Sequence, residues 1–265
     1  MSIQKLTPAK IIKKMGFVND QEGIMNRYLR EGEAWKIHLE NTQKYILQFA
    51  LKAEKKNTIL IIGSGWWLDI PVDALTKIFK TVYLLDISHP AQIKHKALKY
   101  KNVQLIEDDI TGIAASIYQA AGTENRIFES VNELINELTI PDAATCNRLS
   151  EFDAVVSVNI LNQLDIIICD YLMKKQIFTH DQLITLRTYI QQQHIARLPV
   201  QKSCLITDYQ ELNYTMPGQL AASRDLIYQD LSNYSNVAYW QWQFDTTQSY
   251  RNYYKVIFNV MAVEI

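Results

Sequence analysis

The sequence is short of the residues that cross-link small proteins or coordinate metals. Only three of its 265 residues are cysteines, Cys146, Cys169 and Cys204, and no two of them lie close together in the chain. Three cysteines cannot form a fully paired disulfide framework, and this spacing is not that of a zinc site. We therefore expect reduced thiols, buried as small hydrophobic residues, and no metal site.

Positive charge is not in excess either. Lys and Arg total 27 against 28 Asp and Glu, a formal net charge of -1. Proteins that bind nucleic acid through its phosphates normally have a clear basic excess, so this balance disfavours nucleic acid as a partner. No apolar run approaches the length of a membrane span, and the first residues lack the apolar segment of a secretory signal. These absences predict a cytoplasmic protein with no membrane partner.

The remaining composition is that of an ordinary globular protein. Hydrophobic residues make up 48% and charged residues 21% of the chain, which is far from the profile of a disordered protein. A chain of this length can bury a sizeable core, in one large domain or in one domain plus an extension.

Apolar, β-branched segments alternate with segments of helical periodicity. The predicted strands are 58–62, 81–86, 103–106, 152–159 and 200–207. The predicted helices are 66–79, 89–98, 127–138 and 162–196, the last as two helices. This alternation predicts parallel strands joined by right-handed crossovers. Two further strands, 237–244 and 256–263, have no helix between them and predict an antiparallel pair.

Residues 1–50 have helical character, mainly over 24–50. We therefore divide the chain into a helical extension or cap at 1–50 and a sheet domain at 51–265. The extension either packs on the sheet domain or forms a lid over a ligand site, because such extensions often cover ligands. Candidate substrate contacts within it are Tyr28, Trp35 and His38. As a titratable residue, His38 is either a general base or a surface histidine.

The first strand ends in a glycine pair. Gly63 and Gly65 flank Ser64 in a chain with only eight glycines, and Asp86 ends the second strand, 86 − 65 = 21 residues after Gly65. In open parallel sheets, ligands bind at the carboxyl ends of the strands. A glycine turn followed at about this distance by an acid predicts a nucleoside site, in which the acid accepts hydrogen bonds from ribose hydroxyls.

These segments resemble the class I, Rossmann-like methyltransferases that depend on S-adenosylmethionine. The resemblance spans roughly residues 55–265 and rests on 59–65, 84–86, 103–110 and 152–158, together with the final strand pair. The first motif, GSGWW, is atypical. Ile61 stands where the family usually has an acid, and Trp67 stands at the third glycine position.

The resemblance implies a mostly parallel seven-stranded sheet with helices on both faces and a C-terminal antiparallel strand pair. It also implies a methyltransferase that uses S-adenosylmethionine as cofactor and acts on a small-molecule acceptor. The cofactor-binding residues that it implies are Gly63, Ser64, Gly65, Trp66, Asp86, Ile87, Asp108, Asp109, Ile110 and Asn159. In this set Asp86 would hold the ribose, Asp109 the adenine and Asn159 the methionine end, while the alternative role for Asp109 is a helix N-cap.

Three other functions stay open at this stage. A nicotinamide-dependent oxidoreductase also uses a glycine turn and an acid, although Leu68 stands where that motif has its last glycine or alanine. A non-catalytic nucleoside-binding or scaffold protein, and an aminopropyl transferase, would use a similar sheet. No catalytic residue and no oligomeric state is predicted. Tyr209, after the fifth strand, is a further candidate substrate contact.

Overall fold

The computed structural model describes residues 8–122 and 128–265. The strands within these ranges are β1 (Thr58–Ile62), β2 (Thr81–Asp86), β3 (Val103–Glu107), β4 (Ala154–Val158), β5 (Ser203–Tyr214), β6 (Leu220–Asp225), β7 (Ser235–Asp245) and β8 (Lys255–Glu264). The helices are α1 (Pro8–Met15), α2 (Phe17–Lys52), α3 (Val72–Ile78), α4 (Ala91–Ala97), α5 (Ala114–Gly122), α6 (Val131–Glu137), α7 (Ile166–Lys174) and α8 (Ile184–Arg197). Residues 1–7 of the predicted cap and Ile127 of the predicted helix 127–138 lie outside the described residues.

The described strands form one mixed sheet. Seven of them follow the order β3-β2-β1-β4-β5-β8-β7, and β6 pairs with β5 beside this path. The first five strands pair in parallel, whereas β8 runs antiparallel to both β5 and β7. This arrangement confirms the predicted α/β class, the mostly parallel sheet and the C-terminal antiparallel pair.

The two faces of the sheet bury two separate hydrophobic cores. Successive residues of β1 point to opposite faces because side chains alternate along a strand. Leu60 and Ile62 pack into one core, whereas Ile59 and Ile61 pack into the other. Residues of α1, α5, α7 and α8 belong to the first core, and residues of α2, α3 and α4 belong to the second. Helices therefore cover both faces, as the continuous apolar strand sequences predict.

The sheet has an eighth described strand that the sequence analysis did not predict. β5 continues past Asp208 to Tyr214, through a register shift in its pairing with β8, and turns back into β6. All six residues of β6 are exposed. The strand lacks the apolar alternation that marks a half-buried strand, which is why its sequence gave no strand signal.

The long helix α2 makes up most of the N-terminal region. It begins seven residues earlier than the predicted helix 24–50, and its central part packs along β7. The buried carboxylate of Glu31 accepts four hydrogen bonds, from the backbone and hydroxyl groups of Thr246 and Thr247, at 2.6–3.2 Å. The hydroxyl of Tyr45 donates to the carbonyl of Asn236 at 2.8 Å. These contacts fix α2 against the strand pair at the sheet edge.

The helix that follows β1 is shorter than predicted. α3 begins at Val72 rather than at residue 66, because residues 63–71 form an irregular loop in which Gly63, Gly65 and Trp67 all have positive φ. The apolar spacing over 66–79 therefore reflects core packing of this loop as well as of the helix. Within the described residues, no helix has the length and apolar character needed to cross a membrane.

Candidate functional site

A cavity of about 190 Å³ lies at the carboxyl edge of the sheet, beneath the first part of α2. The loop after β1 forms one wall, with Gly63, Ser64, Gly65 and Trp66. The ends of β2, β3 and β4 form another wall, contributing Asp86, Ile87, Asp108, Asp109, Ile110 and Asn159. All ten residues predicted to bind the cofactor therefore line one cavity, which is where ligands bind in an open parallel sheet.

The glycine loop packs closely at Gly63, where a side chain would not fit. Gly63 has φ +87°, and a β-carbon there would overlap the side chain of Ile160 and the carbonyl oxygen of Val158. At Gly65, where φ is +32°, a β-carbon would lie 3.5 Å from Oδ2 of Asp86 and 3.9 Å from Nε2 of Gln21. Glycine at 63 lets the loop pack on β4, and glycine at 65 keeps a side chain away from the carboxylate.

Asp86 is held at the cavity by the chain itself. Its Oδ2 accepts the backbone N–H of Gly65 at 2.7 Å, and its Oδ1 accepts Nε2 of Gln21 at 3.2 Å. Burial raises the pKa of Asp86 to about 6, and the backbone hydrogen bonds act in the opposite direction. A carboxylate can accept hydrogen bonds from hydroxyl donors on either of its oxygens.

The two tryptophans of the loop point in different directions. Trp66 lines the cavity, and its indole N–H donates to the carbonyl oxygen of Gln21 in α2 at 2.8 Å. Trp67 is buried in the core on the other side, with its ring edge-on to Tyr100 at 6.2 Å and Lys96 over its face. Trp67 therefore leaves the cavity open, and Trp66 links the loop to the helix above it.

The two acids after β3 have roles within the fold. Asp109 accepts hydrogen bonds from Thr111 and from the backbone N–H of Ala114 at the start of α5, at 2.6–2.9 Å. Asp108 accepts from the backbone and hydroxyl groups of Thr145 through its Oδ2, at 2.8 and 2.7 Å. Asp109 therefore stabilises the turn before α5, the role of a turn acid, and its assignment to adenine stays a prediction that competes with that role.

Ser64 is fixed by a neighbouring histidine. Its hydroxyl lies 2.9 Å from Nε2 of His89, whose backbone N–H donates to Glu107 at 2.7 Å. Burial lowers the pKa of His89 to about 4, so the imidazole is neutral near pH 7. The pair connects the loop after β1 with the segment after β2, and thereby holds two walls of the cavity together.

Near the carboxyl end of β4, the cavity is lined by a polar cluster of Asp69, Asn159 and His38. Nδ2 of Asn159 donates to Oδ2 of Asp69 at 2.6 Å and lies 3.3 Å from Nε2 of His38. Asn159 has a left-handed backbone conformation with φ 52°, and its Oδ1 is buried without a donor among the described residues. Burial raises the pKa of Asp69.

His38 is a buried residue of the site rather than a surface histidine. Its ring stacks on Trp242 with a centroid distance of 4.1 Å, and Nε1 of Trp240 donates to its Nδ1 at 3.0 Å. An indole nitrogen can only donate, so Nδ1 of the neutral ring is an acceptor and the proton lies on Nε2. Burial lowers the pKa of His38 to about 3. The ring is therefore a neutral donor and a poor general base.

The predicted substrate contacts separate into two groups. Trp35 and His38 line the cavity. Tyr28 packs against Trp35 with a ring distance of 5.9 Å, and Tyr209 packs against Tyr239 at 6.2 Å, and neither is part of the cavity wall. Their assignment to substrate stays a prediction without support from the cavity.

Several lining residues were not predicted, among them Gln21, Asp69 and Trp242. Gln21 and Trp242 lie far from the glycine loop in sequence, and only the packing of α2 and β7 brings them to the cavity. Asp69 follows the glycine loop directly, but the helical spacing over 66–79 placed it in a helix. An acid at the carboxyl end of β1 was the available signal for Asp69.

The charges at the cavity are of one sign. Among the described residues that line it, the ionisable groups besides His38 are five aspartates, and none is Lys or Arg. They are Asp20, Asp69, Asp86, Asp108 and Asp109. Across the described residues no three His, Cys, Asp or Glu side chains are grouped to hold a metal ion. The cavity therefore suits a ligand that is cationic or rich in hydrogen-bond donors.

Comparison with known proteins gives distant structural neighbours only. No protein-family model matches the chain, and no curated protein matches it. The N-methyltransferase NodS from Bradyrhizobium japonicum WM9, in complex with S-adenosyl-L-homocysteine, is 12% identical over 84% of this chain and 86% of its own, with a TM-score of 0.36.

Two further neighbours have the same level of similarity. The plantazolicin methyltransferase BpumL, in complex with S-adenosyl-L-homocysteine (SAH), is 11% identical over 96% of this chain and 99% of its own, with a TM-score of 0.37. A DhpI–SAH complex is 10% identical over 92% and 97%, with a TM-score of 0.33. Similarity at this level does not assign a function to this chain.

Proposed function

We propose that this protein is a cytoplasmic methyltransferase that binds S-adenosylmethionine and transfers its methyl group to a small-molecule acceptor. The observation that carries the proposal is the position of Asp86. It ends β2, lies beside the Gly63–Gly65 loop and presents a half-buried carboxylate to the cavity. A carboxylate at this point suits the two adjacent hydroxyls of a ribose.

The residues of the cavity fit the rest of the cofactor. The missing side chain of Gly65 leaves room beside Asp86. The apolar side chains of Ile87 and Ile110 provide a surface for a flat base, and Asp108 and Asp109 lie near them at the end of β3. Asn159, at the end of β4, would lie near the amino-acid end. The absence of Lys and Arg from the described lining suits a ligand that carries a sulfonium and an ammonium group.

Little catalytic chemistry is required of the chain itself. The bound cofactor supplies a methyl group that is already activated by its positive sulfur. The protein must align the acceptor with that methyl group and exclude water. The roof formed by α2 and the aromatic residues Trp35, Trp66 and Trp242 serves both purposes. The acidic lining favours a small acceptor over a nucleic acid.

Calorimetric titration with S-adenosylmethionine and with S-adenosylhomocysteine tests this proposal. We expect both to bind, and we expect Asp86→Asn to weaken binding by at least about tenfold, because a hydrogen bond to a charged group contributes roughly 1.5–3 kcal/mol. The matched control is Asp142→Asn, which alters an exposed acid outside the cavity.

The two variants distinguish the possible results. Equal affinity of the wild-type protein and Asp86→Asn for these ligands would show that Asp86 does not bind the cofactor. Absence of binding to the wild-type protein would refute the proposed function itself. Tight binding of NAD in place of S-adenosylmethionine would favour an oxidoreductase.

A further inference from the structure

The part of the cavity around Asp69 and Asn159 has its own chemical character. It is lined by the rings of Trp35, His38 and Trp242, which pack on one another, and by the carboxylate of Asp69. A carboxylate in such surroundings attracts a small organic cation that brings its own hydrogen-bond donors.

Acceptor atoms without donors point to the same kind of ligand. Oδ1 of Asn159, a residue that is 9% exposed, is buried without a hydrogen-bond donor among the described residues. Asp69 receives its side-chain hydrogen bond on Oδ2 alone. An ammonium group, which has several N–H donors and a positive charge, would satisfy both oxygens.

The hydrogen bonds around Asn159 also favour proton transfer to Asp69. While Asp69 is ionised, Asn159 turns Nδ2 toward it, and Nδ2 then faces the N–H of His38, so two donors lie 3.3 Å apart. If Asp69 is protonated, the side-chain amide of Asn159 can rotate by half a turn, so that Oδ1 and Nδ2 exchange places. Oδ1 of Asn159 then accepts hydrogen bonds from both the Asp69 hydroxyl and the His38 N–H. Protonation of Asp69 therefore relieves a conflict that the neutral His38 ring imposes.

We propose that the methyl acceptor is an amine that enters as its ammonium ion, and that Asp69 binds this ion and accepts its proton. The proposal rests on the proposed function, since it concerns the second substrate of the same cavity. Asn159 and His38 are positioning residues, because they act through Asp69. Burial, which raises the pKa of Asp69, makes the carboxylate a better proton acceptor.

The reaction balances in atoms and charge. Asp69 removes one N–H proton, which leaves the nitrogen neutral with a free lone pair. This pair forms the new N–CH₃ bond as the S–CH₃ bond breaks, and the electrons of the broken bond stay on sulfur. The positive charge passes from sulfur to the methylated nitrogen, and the proton stays on Asp69 until the product leaves.

Binding of three probes of matched shape tests the proposal without measuring turnover. The protein is first saturated with S-adenosylhomocysteine and then titrated with 2-phenylethylamine, a cation, with 2-phenylethanol, which is neutral, and with phenylacetate, an anion. We expect the amine to bind at least about tenfold more tightly than the alcohol, and phenylacetate to bind most weakly. The variant Asp69→Asn should remove this preference and leave S-adenosylhomocysteine affinity within about threefold of wild type.

Each result has a distinct meaning. Equal or tighter binding of the alcohol or the anion, or no preference for the amine, would overturn the amine proposal. A loss of S-adenosylhomocysteine affinity in Asp69→Asn as large as that in Asp86→Asn would also overturn it, since Asp69 would then belong to the cofactor site. Failure of the wild-type protein to bind S-adenosylhomocysteine would instead refute the proposed function.

Discussion

Gln21 donates a hydrogen bond from Nε2 to Oδ1 of Asp86 across 3.2 Å, so a residue of α2 occupies one oxygen of the acid that we assign to the ribose. The same nitrogen donates to the carbonyl oxygen of Ser88 at 2.6 Å, and the Gln21 carbonyl accepts the indole N–H of Trp66. A ribose hydroxyl that binds to this oxygen must compete with Gln21. The first turns of α2 therefore contact Asp86 directly.

Replacing Gln21 with alanine should increase the association rate of S-adenosylhomocysteine and tighten its binding by up to about fivefold. The reason is that one hydrogen bond, worth about 1 kcal/mol net, no longer competes with the ligand for Asp86. Stopped-flow measurement of the tryptophan signal gives the rate. Gln229→Ala is the control, because it removes a comparable side-chain amide hydrogen bond, to the carbonyl of Thr188, and neither residue lines the cavity. Weaker binding by Gln21→Ala would mean that the Gln21 amide contacts the ligand directly.

The affinity for S-adenosylhomocysteine should fall as the pH is lowered through about 6, because Asp86 has a pKa of about 6 and its ionised form is the better acceptor. Since this pKa lies above the ordinary 3.8, ionisation of Asp86 weakens the ligand-free fold as pH rises from about 4 through about 6. A ligand that prefers the carboxylate offsets that loss. Calorimetry from about pH 8 down to about pH 5 measures the effect. In Asp86→Asn this fall in affinity should be absent, and its persistence would assign the titration to another group.

Gly63→Ala should destabilise the fold by more than about 3 kcal/mol, because the new methyl group overlaps Ile160 and the Val158 carbonyl in addition to straining a positive φ. Gly218→Ala provides the matched comparison. Gly218 has a similar φ of +85° but no atom within 4 Å of the added carbon, so strain alone should cost about 1–2 kcal/mol. Urea unfolding gives both values. Equal losses would show that the loop can move away from β4.

Trp240→Phe should allow the His38 ring to adopt both neutral tautomers, because the variant lacks the indole N–H that donates to Nδ1 of His38. Nitrogen-detected NMR of the histidine ring should show the proton on Nε2 in the wild-type protein and a mixture of tautomers in the variant. Tyr239→Phe, an exposed change on the opposite face of β7, should leave the spectrum as it is. A wild-type ring with its proton on Nδ1 would contradict the assignment.

The sequence was sufficient to predict the sheet and its carboxyl edge. Continuous apolar strands such as β1 and β4 are buried on both faces, so their pattern depends little on distant contacts. The ten residues predicted to bind the cofactor lie at or after the ends of these strands, and therefore share one cavity. Their individual roles are less determined, as Asp109 illustrates, because a carboxylate after a strand can serve the next helix as well as a ligand.

Features that depend on tertiary packing were not predictable in this way. The directions of Trp66 and Trp67 depend on the backbone of the glycine loop, where φ is positive at Trp67. The approach of α2 to the cavity depends on anchors such as Glu31, whose partners are more than 200 residues away in the chain. The exposed strand β6 depends on the continuation of β5, because its own residues lack an apolar face.

The contacts that anchor α2 are unevenly distributed along the helix, and we expect local opening of the fold where they are fewest. Beyond Glu31 the helix is tied to β7 and its following loop, whereas its first segment is held through the hydrogen bonds of Gln21 and contains Gly23, where an added β-carbon would meet no atom within 4 Å. We expect transient unwinding of the first segment of α2 to let S-adenosylhomocysteine and the methylated product leave the cavity. Methyl transfer within the closed chamber would then be fast, and the turnover number would depend on solvent viscosity.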